Sequence, residues 1–214
     1  MTQVSQAVDR DLLDLLFGPA TDAQTYVKLL YLLLGFPLGI AYFVFLICGL
    51  SLGAGLLITF IGIPILIGVF FACAGLGAFE RSMAQSMLRV SIPAPPRPAP
   101  TPGVWPKLKA LFGSPTTWKS LFYLLLKFPF GIAAFVVLVT TFALSVSLIL
   151  APLTYSTLTI DFCFWQVRSK DDAAICCLIG VVLLLVSFHL VNGLAFIWGR
   201  FAQMMLGSDP PVGN

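Results

Sequence analysis

Charged residues are scarce in this sequence, and their scarcity excludes a soluble protein. Asp, Glu, Lys and Arg make up 10% of the 214 residues, against about 25% in a typical soluble domain. Hydrophobic residues make up 59% of the chain, and the mean hydropathy is +1.00. So few charges cannot cover the surface of a compact soluble chain. The composition therefore predicts an integral membrane protein.

Residues that carry chemistry are also few. The sequence has one histidine and five cysteines, and it has no Cys-x-x-Cys, P-loop or Gly-x-Gly-x-x-Gly motif. These absences argue against a structural zinc site and a nucleotide-binding site, and no nucleophile–base pair is visible. We therefore expect no catalysis, no metal, no cofactor and no nucleic-acid partner. The sequence leaves open a disulfide between Cys163 and Cys176.

Three long stretches contain no charged residue at all: 29–79, 128–160 and 173–199. A spanning helix needs about 20 apolar residues, so the first stretch holds two spans and the others hold one each. Runs such as GVVLLLVSFHL do not alternate between apolar and polar residues, so the spans are helices and not barrel strands. The predicted spans are roughly 35–50, 56–79, 128–150 and 174–198, with a turn at Leu50–Gly55.

The remaining charges predict the orientation of the chain. Segment 80–127 has seven Lys and Arg against Glu80 alone, whereas segment 152–173 has three Asp against Arg168 and Lys170. Because basic loops stay in the cytoplasm, we expect segment 80–127 to be cytoplasmic. Four spans then place both termini in the cytoplasm, and the Leu50–Gly55 turn and the 152–173 loop outside.

The chain contains an internal duplication. Residues 31–44 (YLLLGFPLGIAYFV) reappear as residues 123–136 (YLLLKFPFGIAAFV), with 11 of 14 positions identical at an offset of 92. Residues 84–88 (AQSML) match residues 202–206 (AQMML) at an offset of 118. The predicted parts are a first repeat at 1–92, a Pro-rich cytoplasmic linker at 93–106, a second repeat at 107–209 and a tail at 210–214.

Each repeat contributes two spans, so both enter the membrane in the same orientation. We therefore predict two helical hairpins that are parallel repeats, related by a pseudo-two-fold axis along the membrane normal. Short amphipathic helices at 4–16 and 104–112 are expected to lie at the inner interface.

Proline and glycine positions are the first candidate structural sites. Pro37 and Pro129 are predicted to mark where the chain turns from the interface into the bilayer, and Pro64 is predicted to kink the second span. Gly39 and Gly131 occupy equivalent positions of the two repeats. Small residues let helices approach closely, so we expect these glycines at helix contacts. We also expect membrane lipids to surround the bundle.

The single histidine, His189, lies in the fourth predicted span with Asn192 three residues later on the same face. An ionisable residue inside a span is a functional candidate, here an axial ligand of a cofactor or a proton sensor. The favoured alternative is a neutral, hydrogen-bonded imidazole, because we count no second histidine and no carboxylate in any predicted span. We expect both side chains to face the helix bundle, with Ser145, Ser147 or a carbonyl freed by Pro64 as partners.

Several ordered motifs resemble the putative sensor domain family over roughly residues 26–207. They are the Leu-Leu-x-Phe-Pro-x-Gly-Ile opening, the sequences Gly-Ile-Pro64 and Phe-Glu-Arg81, and the run from His189 to Ala195. That family is a bacterial membrane module, often fused ahead of a histidine kinase and sometimes standing alone. The resemblance implies a four-span sensory or signal-input domain in the bacterial plasma membrane, and it does not specify the stimulus.

Only eight residues follow Leu206, so we expect any signal to pass through a separate partner protein. The expected function is therefore a non-catalytic sensory or adaptor module. One alternative is an accessory subunit of a larger respiratory or photosynthetic membrane complex. A small transporter or channel is the least favoured alternative, because ion-coupled transporters usually keep a carboxylate within the bilayer.

Overall fold

The structure is a computed structural model of the whole chain, and it describes residues 18–93, 113, 115–154, 161–162, 165–166 and 170–207. The predicted amphipathic segments at 4–16 and 104–112, the linker after Pro93 and Cys163 lie outside these residues. Part of the predicted 152–173 loop lies outside them as well.

Four long helices form the described part of the fold. They are α1 (Ala23–Gly55), α2 (Gly62–Leu88), α3 (Pro115–Ile149) and α4 (Lys170–Leu206). Each is long and apolar enough to cross a membrane. The prediction of an all-α membrane fold with four transmembrane helices is confirmed. Helices α1 and α4 extend beyond their predicted spans at both ends, α2 begins later and ends later than predicted, and α3 begins earlier and ends at Ile149.

The predicted turn at Leu50–Gly55 is wrong. Helix α1 runs through this segment and continues as a 3-10 turn at Leu56–Thr59, and the chain reverses at Phe60, which has a left-handed φ of 61°. Gly49 and Gly53, in and beside this segment, make room for α2. A Cβ on Gly49 would lie 2.6 Å from Val69 Cγ2, and one on Gly53 would lie 2.5 Å from Leu66 Cδ2.

The predicted roles of the three prolines also need correction. Pro64 is the third residue of α2, so it lies in the first turn and does not kink a helix interior. A proline fits this turn because the first amides of a helix have no intrahelical acceptor. Pro37 and Pro129 lie inside α1 and α3, each 14 residues after the helix begins. They therefore do not mark a turn of the chain at the membrane surface.

Short elements follow α3. A single helical turn at Ala151–Thr154 is succeeded by the strands Asp161–Phe162 and Trp165–Gln166, which pair antiparallel. These strands are two residues long and leave the class of the fold unchanged.

The helices contribute to two compact units, one made of Met1–Tyr26 with Phe135–Leu194 and the other of Val27–Ala134 with Ala195–Asn214. The first unit has a small core of Leu148, Ala151, Ala173 and Cys176, with Leu183 packed against it. Cys176 carries a free, buried thiol. The second unit contains the largest buried side chains, among them Tyr31, Tyr123, Lys127 and Glu80.

One aromatic contact occurs once in each unit, at positions that correspond under the repeat. In the first unit Tyr26 meets Phe188 with ring centroids 5.7 Å apart and an interplanar angle of 66°. In the second, Trp118 meets Phe70 at 5.6 Å and 71°. Trp118 follows Tyr26 by 92 positions and Phe188 follows Phe70 by 118, which are the two sequence offsets of the duplication. Both repeats therefore build the same local packing.

The second matched sequence motif has a shared role in the second unit. Gln85 and Gln203 are equivalent residues of the two repeats. Gln85 donates a hydrogen bond to the carbonyl oxygen of Ile92 at 2.7 Å, and Gln203 donates one to that of Ser91 at 3.1 Å. Both glutamines thus hold the short segment that follows α2.

Candidate functional site

The site lies in the second unit, where α1 and α3 approach through glycine. A Cβ on Gly39 would lie 2.9 Å from the carbonyl oxygen of Lys127 and from Phe128 Cα. A Cβ on Gly131 would lie 2.5 Å from the carbonyl oxygen of Gly35 and 3.1 Å from Phe36 Cα. The two contacts are reciprocal under the offset of 92, as a two-fold interface requires. Only glycine allows the backbones to come this close.

A buried ion pair joins α2 to α3 beside this crossing. Lys127 Nζ of α3 donates to Oε2 of Glu80 in α2. The two side chains are 1% and 0% exposed. A buried charge is tolerated only when it is paired and hydrogen-bonded. Each of these residues therefore depends on the other.

Two tyrosines of α1 complete the surroundings of the pair. The Tyr42 hydroxyl donates to Glu80 Oε1 at 2.8 Å, so both carboxylate oxygens accept a hydrogen bond. The Lys127 ammonium lies 4.9 Å from the centre of the Tyr31 ring, within the range of a cation–π interaction. Tyr31 and Tyr123, which are equivalent in the two repeats, place their hydroxyl oxygens 3.4 Å apart. The pair is thus surrounded by tyrosine hydroxyls and rings of α1 and α3.

The repeat scaffold is symmetric around this site, but its chemistry is not. Under the offset of 92, Lys127 corresponds to Gly35. Under the offset of 118, Glu80 corresponds to Trp198. The repeat-related counterpart of the ion pair is therefore a glycine and an indole. Trp198 stacks on Phe130 with centroids 4.1 Å apart.

A small cavity occupies this second, aromatic side of the site. It has about 10 Å³ of space for the centre of a water molecule, and its lining is Tyr31, Leu32, Gly35, Lys127, Phe130, Gly131 and Trp198. A single water needs about 10–15 Å³ measured in this way. The cavity can therefore hold one water-sized group, and it is too small for an organic substrate.

The sequence reasoning missed this site. Glu80 and Lys127 bound two of the charge-free stretches, so the sequence assigns both to the basic segment 80–127 that is expected in the cytoplasm. We expected no carboxylate in any predicted span, and the second predicted span ended at residue 79. Helix α2 continues beyond that residue and includes Glu80, whose side chain is buried. Two signals were available in the sequence. Glu80 is the sole acid among seven cations, and Lys127 is a charge in place of glycine within an otherwise matched repeat.

His189 does not occupy the predicted place. Its side chain is exposed, whereas we expected it to face the helix bundle. The ring Nδ1 lies 2.9 Å from the carbonyl oxygen of Leu185, one turn earlier in α4. Its Nδ1 contact is therefore local to α4. Ser145, one of the expected partners, donates to the carbonyl oxygen of Thr141 in its own helix at 2.6 Å.

Asn192 is half-buried and contacts α1 within the first unit. Its Nδ2 lies 3.4 Å from Thr25 Oγ1 and 3.4 Å from the carbonyl oxygen of Phe188. Asn192 thus joins two helices and does not join His189 in a common site.

In the part of the chain that the structure describes, no three His, Cys, Asp or Glu side chains lie close enough together to hold a metal ion.

Replacing Tyr42 with phenylalanine tests the hydrogen-bonded shell. Glu80 Oε1 would lose its donor in a buried place, so we expect a loss of about 1–3 kcal/mol in the free energy of unfolding. The control is Tyr26→Phe, because the Tyr26 hydroxyl donates to Ala20 in an exposed place. Its effect should stay within about 0.5 kcal/mol. Equal effects of the two substitutions, measured by unfolding in detergent micelles, would contradict the assigned role of Tyr42.

Four long apolar helices define the class of protein: a multi-pass, all-α membrane protein. The chain matches the "Putative sensor" family over residues 31–206, which is most of its length, and it belongs to that family. The match makes it a sensory-type membrane module. Comparisons with curated proteins and with solved structures gave no match.

Proposed function

We propose that this protein is a non-catalytic sensory or signal-input module of the bacterial plasma membrane that acts through a separate partner protein. Membership of the "Putative sensor" family supports the sensory part of the proposal. The helices supply a multi-pass membrane scaffold.

The observation that carries the proposal is the buried pair of Glu80 and Lys127. It connects α2 of the first repeat to α3 of the second, and both side chains are almost fully enclosed. Breaking such a pair leaves a buried charge without compensation, so a stimulus that separates the two side chains would have to repack the groups around them. A sensory module needs a packed element of this kind, whose equilibrium a stimulus can shift. The adjoining cavity is too small for turnover of a substrate.

Affinity purification from native membranes tests the partner. The tagged wild-type chain and the Glu80→Gln variant are extracted in mild detergent, and the co-purified proteins are identified by mass spectrometry. We expect a defined partner whose recovery changes in Glu80→Gln and stays unchanged in Tyr26→Phe. Recovery of a large respiratory or photosynthetic assembly, equal for all three chains, would favour the accessory-subunit alternative. Recovery of no specific partner would contradict the proposal.

Glu80 also favours a second candidate function, which is ion-coupled transport. A carboxylate within a candidate span is the group that such transporters use, and Glu80 lies inside α2. Purified protein in vesicles containing a pH-sensitive dye distinguishes the two functions. Proton flux above that of empty vesicles, abolished by Glu80→Gln, would support transport. Flux equal to that of empty vesicles would support the sensory module.

The proposed topology can be tested by cysteine labelling. In a variant whose native cysteines are replaced by alanine, a cysteine at Ser156 should react with an impermeant maleimide in intact cells. A cysteine at Thr101 should react only after the cells are opened, because the basic segment is expected in the cytoplasm. The reverse pattern would contradict the proposal that both termini are cytoplasmic.

A further inference from the structure

Two exposed arginines lie beside the same helix contact in the second unit, where the end of α2 meets α4. The residues on either side of Arg89 pack against Gly199 of α4. A Cβ on Gly199 would lie 3.1 Å from Val90 Cγ2 and 3.7 Å from Leu88 Cδ1. Arg200 is the next residue of α4, and the side chains of both arginines are exposed. We propose that Arg89 and Arg200 together bind the phosphate group of an anionic phospholipid.

The described part of the second unit offers these arginines no free carboxylate. The one carboxylate in that part is Glu80, whose side chain is enclosed and paired with Lys127. Five Lys and Arg residues other than Lys127 lie in the same part of the chain, so positive charge is in excess there. The planar guanidinium group donates two parallel hydrogen bonds to the oxygens of a phosphate. A phosphate group would therefore supply the negative charge that this part of the chain lacks.

The face of α4 that carries Arg200 is apolar on both sides of the arginine. Phe196 and Met204 lie four residues before and four residues after it, hence on the same face of the helix, and their side chains are 64% and 68% exposed. The Arg200 guanidinium lies 5.3 Å from the centre of the Phe196 ring, so its charge is directed away from the end of α4. Exposed apolar side chains of a spanning helix form a surface for acyl chains. A ligand of this face needs both an anionic group and hydrocarbon, which is the chemistry of a phospholipid and not of a soluble phosphate.

The backbone at Arg89 indicates that the arginine is present for its side chain. Arg89 follows the last residue of α2 in a left-handed conformation, with φ of 54° and ψ of 36°. Glycine is the usual residue at such a helix end because it adopts this conformation with the least strain, and the second repeat has Gly207 at the equivalent position. Arg200 also has a neutral counterpart, Ser82. Both cations are therefore departures from the repeat, and they lie at one place.

Retention of labelled phosphatidylglycerol by the immobilised full chain tests the site. The chain is held in mixed micelles of detergent and phosphatidylcholine, and phosphatidylglycerol is added in increasing amounts. Arg89→Gln and Arg200→Gln should each weaken retention about fivefold, and the double variant about 30-fold, because each basic residue near an anionic lipid contributes separately. The control is Lys170→Gln, which removes an exposed lysine at the other end of α4 and should leave retention unchanged. Equal retention by the wild type and the double variant would overturn the inference.

Inorganic phosphate distinguishes a lipid from a soluble anion as the ligand. Phosphate has no hydrocarbon to contact Phe196 and Met204, so millimolar phosphate at constant ionic strength should leave the retention of phosphatidylglycerol unchanged. Displacement of the lipid at this concentration would assign the arginines to a soluble ligand and contradict the proposal. Neither outcome depends on a partner protein, so this site can fail while the proposed sensory function stands, and the reverse also holds.

The substitution Arg89→Gly separates lipid binding from folding. Glycine removes the cation and at the same time relieves the left-handed backbone. The melting temperature without phosphatidylglycerol should therefore not fall, while the retention of the lipid should weaken as much as in Arg89→Gln. A joint loss of thermal stability and retention would give Arg89 a structural role and would overturn the inference.

Discussion

Replacing Lys127 with methionine should lower the free energy of unfolding by about 3–5 kcal/mol. Methionine has nearly the length of the lysine stem, so the packing of α3 is kept and the charge is lost. The Glu80 carboxylate would then remain buried with the Tyr42 hydroxyl as its donor and with no compensating charge. The measurement is reversible unfolding in mixed micelles, and correct expression of the variant is checked by its helical circular dichroism.

The matched controls come from the other side of the pair. Glu80→Gln should cost less than Lys127→Met, because the remaining ammonium still lies over the Tyr31 ring and the glutamine carbonyl can accept its hydrogen bond, whereas the remaining carboxylate keeps only the Tyr42 hydroxyl. The double variant Glu80→Gln/Lys127→Met removes both charges together and should recover most of the loss. If the free energy of unfolding of the double variant falls by the sum of the two single losses, the two residues act independently and the ion pair contributes little to stability.

Alanine at Gly131 should destabilise the chain by about 1–3 kcal/mol through overpacking. Its Cβ would lie 2.5 Å from the carbonyl oxygen of Gly35 and 2.8 Å from the carbonyl carbon, so the backbone itself must move. Gly39→Ala should have a similar effect, because its Cβ would lie 2.9 Å from the carbonyl oxygen of Lys127.

Gly35→Ala is the control for this prediction, since it lies at the same crossing but has no contact shorter than 4.0 Å. It should be neutral or stabilising by up to about 1 kcal/mol. Thermal unfolding of the three variants in the same detergent decides the question. A Gly131→Ala variant as stable as Gly35→Ala would show that α1 and α3 are not in backbone contact at this crossing.

The number and type of the long helices could be predicted because hydrophobicity along the chain decides them. Their ends could not be predicted so well. The length of the charge-free stretch 29–79 does not show where its two spans divide. In the structure α1 continues through Leu50–Gly55, and Gly49 and Gly53 leave room there for Val69 and Leu66 of α2. Proline gives the same ambiguity, since Pro37 and Pro129 are placed inside helices where their local preference suggests an end.

The Glu80–Lys127 pair could not be predicted from the sequence for a different reason. Counting charges along the chain separates apolar from polar segments, but it cannot tell whether a charge at the boundary is solvated or paired. Glu80 and Lys127 lie 47 residues apart in the sequence, so their pairing is a property of tertiary packing alone. His189 shows the opposite error. A lone histidine in an apolar run attracts attention, but its side chain is exposed and its Nδ1 contacts a carbonyl of its own helix.

The mismatch between a symmetric scaffold and an asymmetric site has a consequence for the ancestry of the chain. In a dimer of identical hairpins every residue occurs twice, so one gene cannot supply glycine to one hairpin and lysine to the other at the same position. Here position 35 is glycine and its counterpart is Lys127, while Glu80 has Trp198 as its counterpart. Different residues at equivalent positions of the two hairpins are possible only when both copies lie in one polypeptide and can mutate separately. A dimer of identical hairpins would form such a pair twice or not at all. A single pair, with glycine and tryptophan at the corresponding positions, is therefore possible only because the two hairpins belong to one polypeptide.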